Sequence, residues 1–367
     1  MKRFVSIGSI ALLIALISCS KGKKEIVVGV AAPLTGEVAS YGDWCRKASM
    51  IAQEEVNSEG GIQGKPLRLI FEDSKCEPKE GVTVAKKLID VDKVSVIIGE
   101  ICSSVTLAMA PVAEQNKVIL FTPISSNYKI TYAGDYIFRL APSDALQGTI
   151  IAKWAEKLGF NTAGILYNNN DYGKGLEDAF KKDFESLGGK VLASESYEEN
   201  SKDFRTQLTK IKNVKPDFIF APAYPAEAGP ILRQRKELGI RIPLIGTDPY
   251  HDPTVFQTGG DATEGILFTD VASGSGPVWE TFSIKYKGKY GEEPNIVAAE
   301  AYDAVKVVAY VMGKEGIKAD DVKRGLYNLK GYVGATGKIE FDKNGDCITK
   351  TFQKFKIENG KYVQLSD

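Results

Sequence analysis

The sequence predicts an α/β protein of two lobes, each with a parallel central sheet flanked by helices on both faces. Two observations carry that expectation. Apolar runs of strand length alternate with longer segments whose apolar residues recur at helical spacing. The alternation runs once from Ile26 and starts again at Ala163. About 350 residues follow a short apolar leader, enough for two domains of ordinary size. A hydrophobic content of 43% fits a globular protein with a buried core.

In the first run, Ile26-Val27-Val28-Gly29-Val30 reads as a buried strand. Residues 41–57 read as a helix with Trp44, Ala48, Ile51, Ala52 and Val56 on one face, stopped by Gly60-Gly61. Leu67 to Phe71 is a strand, Val82, Ala85, Leu88 and Ile89 mark a helix, and Val94 to Ile98 is a third strand. Val105 to Ala113 is a helix and Val118 to Phe121 a fourth strand. The second run has strands at 163–167, 190–193, 218–221 and 244–246, with helices at 175–187, 204–211 and 227–238 between them. Crossovers between parallel strands are expected to be right-handed. Residues 277–289, 296–313 and 319–328 read as helices, and Gly337 to Phe341 and Thr351 to Ile357 as strands flanking a turn at 342–346.

The leader carries Lys2 and Arg3, an apolar run from Phe4 to Ile17, and Leu16-Ile17-Ser18-Cys19 at its end. The run is short for a membrane span and has the layout of a secretory signal. Its ending resembles a bacterial lipobox, which implies a signal peptide at 1–18, lipidation of Cys19 and a polar tether at 19–24. An uncleaved N-terminal anchor helix is the alternative. Either reading holds the globular part at a membrane outside the cytoplasm, in a periplasm or on a cell surface.

Lys+Arg and Asp+Glu are both 47, so no net field favours nucleic acid or an anionic bilayer. The lipid is then the only expected membrane contact. His251 is the single histidine, which starves a His-based triad or a multi-His metal site. Neither a Gly-x-Ser-x-Gly elbow nor a phosphate-binding Gly-Lys-Ser/Thr loop is present. Gly173-Lys174-Gly175 is too small a fragment of a dinucleotide fingerprint to count. The spacing Asp342-x-Asn344-x-Asp346 invites a calcium reading, but its glycine is misplaced for an EF-hand loop, and a strand–turn–strand is expected instead. No catalytic residue, metal or cofactor is therefore assigned. Beyond Cys19, Cys45, Cys76, Cys102 and Cys347 allow three disulfide connectivities, among which the sequence does not choose.

Ligands of open parallel sheets sit beyond the carboxyl ends of the strands. Those ends here carry Ala32-Pro33-Leu34-Thr35-Gly36 with Tyr41, then Glu100-Ile101-Cys102-Ser103-Ser104, and Thr122-Pro123-Ile124-Ser125-Ser126-Asn127. The second run adds Asn168-Asn169-Asn170-Asp171-Tyr172-Gly173, Ala223-Tyr224-Pro225 and Gly246-Thr247-Asp248-Pro249-Tyr250. Hydroxyl residues at helix N-termini make a seat for a carboxylate, and an acid facing that seat suits a zwitterion. An ordinary N-cap is the alternative use of each serine, and a turn beside Pro249 that of Asp248. Tyr41, Tyr172 and Tyr224 could wall an apolar pocket or lie as amphipathic surface residues.

At these residues the chain resembles the leucine/isoleucine/valine-binding proteins, the substrate-binding subunits of branched-chain amino-acid ABC importers. The likeness covers essentially all of the chain beyond the leader. It rests on 32–36 with Tyr41-Gly42, on 57–62, 72–79, 98–104, 171–175, 259–265 and 341–346, in that combination. It implies two Rossmann-like lobes hinged by three crossovers, with the ligand in the cleft between them. The lobes would take residues 25–142 plus 272–352, and 143–271 plus 353–367. It implies a Cys76–Cys102 disulfide, and a carboxylate seat at Ser103 and Ser126 beside Ser125. The Ser126 hydroxyl or the Ile124 carbonyl would share the amine with Asp248. Tyr41, Tyr172, Tyr224 and Val297 would line the pocket. Familiar members carry Glu where this chain has Asp248 and Trp where it has Tyr41, which implies a shifted ligand or a bridging water and a different side-chain preference. Cys45 and Cys347 lie outside the pattern, either paired with each other or free in the core.

The function implied is capture of an amino acid (leucine, isoleucine or valine) by a monomeric receptor that hands it to ABC permease subunits. The alternative is a sensor of the same fold, or a receptor for an amide, urea, GABA or another amino acid.

Overall fold

The computed structural model describes residues 24–36, 38–272 and 274–366. The leader, Cys19 and all of the expected tether except Lys24 lie outside the described residues. The first lobe runs β1 (Ile26–Ala32), α1 (Ala39–Ser58), β2 (Leu67–Asp73), α2 (Pro78–Lys86), β3 (Val96–Ile98), α3 (Ser103–Asn116), β4 (Ile119–Thr122) and β5 (Ile137–Arg139). Its sheet is parallel throughout, in the order β2-β1-β3-β4-β5. Side chains alternate across each strand. Val28, Val30, Ile119 and Phe121 enter one core layer, while Ala31, Ile97 and Leu120 enter the layer on the opposite face.

The chain then builds the second lobe from α4 (Asp144–Lys157), β6 (Thr162–Asn168), α5 (Asp171–Ser186), β7 (Lys190–Tyr197), α6 (Arg205–Val214), β8 (Phe218–Phe220), α7 (Pro225–Glu237), β9 (Leu244–Gly246), α8 (Pro253–Gly259) and β10 (Leu267–Val271). Phe218 and Phe220 face one layer with Phe180 and Phe184, and Ile219 faces the other with Leu208 and Phe268. The chain returns to the first lobe with α9 (Pro277–Tyr290), α10 (Ile296–Glu315), α11 (Ala319–Tyr327) and a small hairpin, β11 (Tyr332–Gly334) and β12 (Gly337–Ile339). Val305, Val308 and Met312 of α10 bury themselves against α1 and the first sheet. Finally β13 (Phe352–Glu358) and β14 (Lys361–Gln364) cross back and complete a second sheet ordered β14-β13-β10-β9-β8-β6-β7. The chain thus passes between the two sheets three times.

Three differences from the sequence expectation stand out. The second sheet is parallel only from β7 to β10; β13 runs antiparallel to β10, and β14 antiparallel to β13. Gly337 to Ile339 pairs with Tyr332 to Gly334 rather than with the strand after the turn. The turn itself is closed by Asp342, whose Oδ1 accepts the N–H groups of Asn344 at 2.8 Å and Asp346 at 3.0 Å. Asp346 in turn holds the fully buried Arg139 at 2.7 Å. Six elements escaped the pattern reading, namely β5, α4, α8, β10, β11 and β14. Arg139 ends β5, Gln147-Gly148-Thr149 interrupts the apolar face of α4, and Thr269-Asp270 interrupts β10. Gln147, Thr269 and Asp270 are buried polar residues that belong to the cleft described next.

Cys76 and Cys102 form a disulfide with Cα atoms 5.6 Å apart. Cys45 and Cys347 are both buried and free. Among the described residues no helix is long and apolar enough to cross a membrane, and no cluster of His, Cys, Asp and Glu is arranged to hold a metal ion.

Candidate ligand-binding cleft

Two matching turns bring an aromatic residue to the cleft from each lobe. After β1 the chain enters α1 so tightly that a Cβ on Gly42 would lie 2.0 Å from the Pro33 carbonyl oxygen. After β6 it enters α5 in the same way, and a Cβ on Gly173 would lie 2.3 Å from the Asn168 carbonyl oxygen. Only glycine fits such an approach. The residues just before these glycines are Tyr41 and Tyr172, both buried.

The disulfide arm supplies the next wall. Cys102 is the N-cap of α3 without a capping side chain, so Ser103 and Ser104 open the helix where backbone N–H groups lack intrahelical acceptors. Ser103 is buried, and its hydroxyl accepts the Asn127 N–H at 3.2 Å. Glu100 organises this corner. Its carboxylate accepts the Ser74 hydroxyl at 2.6 Å and the Cys102 N–H at 2.5 Å. Its carbonyl accepts the hydroxyls of Thr122 at 2.5 Å and Ser125 at 2.8 Å. Burial pushes the Glu100 carboxyl up to about 7, against the pull of Ser74 and Cys102. The Ser125 hydroxyl, also bonded to Thr106 at 2.7 Å, is committed to this network.

Opposite lies the second lobe. Asp248 follows β9 at the carboxyl end of the sheet, where its Oδ1 accepts the Gln147 amide at 3.0 Å. The same Gln147 nitrogen donates to Thr269 at 3.0 Å. Burial pushes Asp248 up to about 7; the charge of Asp270 adds to this, and the Gln147 bond opposes it. Asp144, at the start of α4, is pushed up to about 8 by burial, with the charge of Asp248 adding to it. The Tyr172 hydroxyl pairs with Thr247 Oγ1 at 2.9 Å, and its ring stacks on Tyr224 at 5.0 Å and 15°. Tyr224 packs against core layers of both lobes.

The lobes touch directly. The Asp171 N–H donates to Ser104 Oγ at 3.1 Å, and the Asn127 amide donates to the Asp171 carbonyl. Between them is a cavity of about 550 Å³. Tyr41, Ile124, Ser126 and Val297 line it from the first lobe, and Asp248 from the second. Ser103, Ser125, Tyr172 and Tyr224 do not line this cavity. Tyr224 instead borders a smaller one of about 290 Å³ with Thr35, Cys76, Asn168 and Glu227. Burial and the charges of Asp252, Asp248 and Asp270 raise Tyr41 well above the usual phenol range, which places those acids within electrostatic reach across the cleft.

Several cavity residues had no signal in the sequence. Trp44 and Trp279 add aromatic walls, and Asp252, Asp270, Glu292, Glu293 and Glu300 add acids. His251, the single histidine, lines the cavity and sits 2.5 Å from Asp270 through Nδ1, with its ring 4.1 Å from that of Tyr362.

Residues 25–361 match the model of the periplasmic binding protein family over most of the chain. The chain belongs to that family. Its relatives place it in the branched-chain amino-acid binding group. It is similar to the leucine-, isoleucine-, valine-, threonine-, and alanine-binding protein of Pseudomonas aeruginosa, with 31% identity over 92% of this chain and 91% of the relative. Its fold is similar to that of a leucine-binding protein from Thermotoga maritima, with a TM-score of 0.87, 31% identity, and coverage of 93% of this chain and 98% of that one. It is also similar to a branched-chain amino-acid transporter substrate-binding protein from Streptococcus pneumoniae, solved with isoleucine. There the TM-score is 0.82 at 30% identity, covering 93% of this chain and all of that one. Periplasmic binding proteins of this group are substrate-binding subunits of ABC transporters and work outside the cytoplasm.

Proposed function

We propose that this periplasmic binding protein captures an α-amino acid, leucine, isoleucine or valine among its ligands, and delivers it to the permease of an ABC importer. The observation that carries the reading is Asp248. It is an acid pushed up to about 7 by burial that shares one cavity with Ser126 and Ile124 of the other lobe. An α-ammonium would pair with Asp248 and the Ile124 carbonyl. An α-carboxylate would take the Ser126 hydroxyl and the N-terminal N–H groups of α3, where the helix dipole favours negative charge. Tyr41 and Val297 would enclose the side chain, with the stacked Tyr172–Tyr224 pair outside this cavity. The lobes would divide as 25–142 plus 272–352 and 143–271 plus 353–367, with a lipid on Cys19 holding a monomer at the membrane. Calorimetry on the refolded, ligand-stripped protein tests the reading. One-to-one binding of leucine, isoleucine and valine with glutamate, GABA and acetamide silent is expected. Binding of GABA or acetamide with leucine silent would overturn it.

A further inference from the structure

The cavity holds more carboxylates than a zwitterion with an aliphatic side chain can satisfy. Its lining includes Asp248, Asp252, Asp270, Glu292, Glu293 and Glu300, and no Lys or Arg. Three of these acids are answered within the protein. Asp270 takes His251 and the Val271 N–H at 2.7 Å, Glu292 pairs with Lys47 at 2.7 Å, and Glu293 pairs with Lys287. Asp248 is the acid that meets an α-ammonium.

Asp252 and Glu300 remain. Both are buried, at 5% and 2% exposure. Asp252 caps α8 by accepting the Thr254 N–H at 2.7 Å through Oδ1, but its Oδ2 has no hydrogen-bond partner among the described residues. Glu300 lies one helical turn beyond Val297 on α10, and its Oε1 is likewise without a partner. Lys350 is the cation whose charge acts on Glu300, yet its ammonium is held by the Thr336 carbonyl at 2.5 Å and by the Thr336 hydroxyl. Buried carboxylates without partners are costly, so such groups stay protonated or wait for a cation. Asp248, Asp270 and Glu300 line the same cavity, and burial together with the charges of the two aspartates raises Glu300 well above the usual carboxylate range. Trp44, Trp279, Ile296 and Val297 line the same cavity, and these apolar walls suit a methylene stem that carries a charged head.

We propose that the cleft takes amino acids whose side chain ends in a cation, with Asp248 holding the α-ammonium and Glu300 and Asp252 holding the side-chain ammonium or guanidinium. This ligand class rests on the α-amino-acid reading above and replaces its aliphatic side chain with a cationic one. Lysine, arginine and ornithine fit the class. Leucine would leave Glu300 and Asp252 unanswered.

The test is calorimetry of the ligand-stripped protein with L-lysine, L-norleucine and L-leucine. Norleucine has the lysine stem without its ammonium. Lysine is expected to bind one-to-one and at least about tenfold tighter than norleucine. Glu300→Gln and Asp252→Asn are each expected to lower the lysine-to-leucine affinity ratio at least about tenfold, with a thermal melt confirming that the variants fold. Norleucine or leucine binding while lysine is weaker or silent would overturn the cation assignment and leave the α-amino-acid site standing. An unchanged ratio in both folded variants would do the same. Silence toward all three would overturn the underlying amino-acid reading as well. If either variant fails to fold, the lysine–norleucine comparison on the unaltered protein still decides.

Discussion

Gln147 and Asp248 are joined by a 3.0 Å hydrogen bond that ties α4, the first helix of the second lobe, to the acid at the end of β9. One amide nitrogen serves both Asp248 and Thr269 of β10, so three elements fix the position of one carboxylate. Such support holds a recognition group in place before the ligand arrives.

Asp248 sits near 7 in the empty cleft because burial disfavours its charge. Pairing with an ammonium favours the charged form, so binding below about pH 7 expels a proton. Affinity for an α-amino acid should therefore rise from pH 5 to about pH 7.5 and then level off. Calorimetry in buffers of different ionisation enthalpy reads the proton directly. Asp248→Asn should weaken binding by about 2–5 kcal/mol and flatten the pH dependence. Unchanged affinity in that variant would remove Asp248 from the site.

Three buried carboxyls should make the protein more stable at pH 5.5 than at pH 8.5. Asp144, Glu100 and Asp248 carry carboxyls raised to about 8, 7 and 7. The unfolded chain gives up those protons near pH 4, whereas the folded chain keeps them until pH 7 to 8. Their contribution is complete below pH 4 and is lost as the pH rises through 7 to 8. Thermal melts at pH 5.5 and pH 8.5 should show the higher Tm at pH 5.5. Asp144→Asn should narrow the gap, and a melt with no such gap would refute the assignment.

The Cys76–Cys102 bridge closes a loop with a sequence separation of 26, which the chain-entropy model values at about 3–4 kcal/mol. Replacing both cysteines with serine should lower stability by that order in a denaturant titration. It should also weaken amino-acid binding, because Cys102 donates its N–H to Glu100 and caps the helix that begins at Ser103. Loss of stability with unaltered binding would show that the bridge does not steady the seat.

Asn127 clasps the lobes through the Asp171 carbonyl, and Gly175 passes so close that a Cβ there would lie 2.3 Å from its amide nitrogen. Asn127→Ala should favour the open form and weaken binding by about 1–2 kcal/mol, chiefly through faster release. Small-angle scattering with ligand present should show a larger radius for Gly175→Val than for the parent. Identical scattering and release rates would mean that this contact does not govern closure.

Much of the fold was legible because parallel strands buried on both faces read as unbroken apolar runs, as Ile26 to Val30 and Phe218 to Ala221 do. The strand-end loops pointed to Ser126, Ile124 and Asp248, which share one cavity. Asp252 and Glu300 stayed hidden for different reasons. Asp252 looks like any N-cap before a proline. Glu300 sits in a helix whose apolar residues fill nearly every turn, so only its place on the cavity lining with Asp248 and Asp270 reveals it. The stretch from Ile137 to Lys157 was lost because Arg139 and Gln147 are buried polar residues whose partners, Asp346 and Asp248, lie far along the chain.

The antiparallel strand β13 has a consequence for the order of assembly. Phe355 and Ile357 fill the second core from residues near the end of the chain, and β13 alone covers the outer edge of β10. A ribosome that has made everything through β10 has therefore not yet supplied the last wall of that lobe. The first sheet can close on its own strands early, but the second must wait until Glu358 is clear of the exit tunnel. Its folding is tied to synthesis of β13, and a chain cut short before Phe352 would present a bare edge to its neighbours.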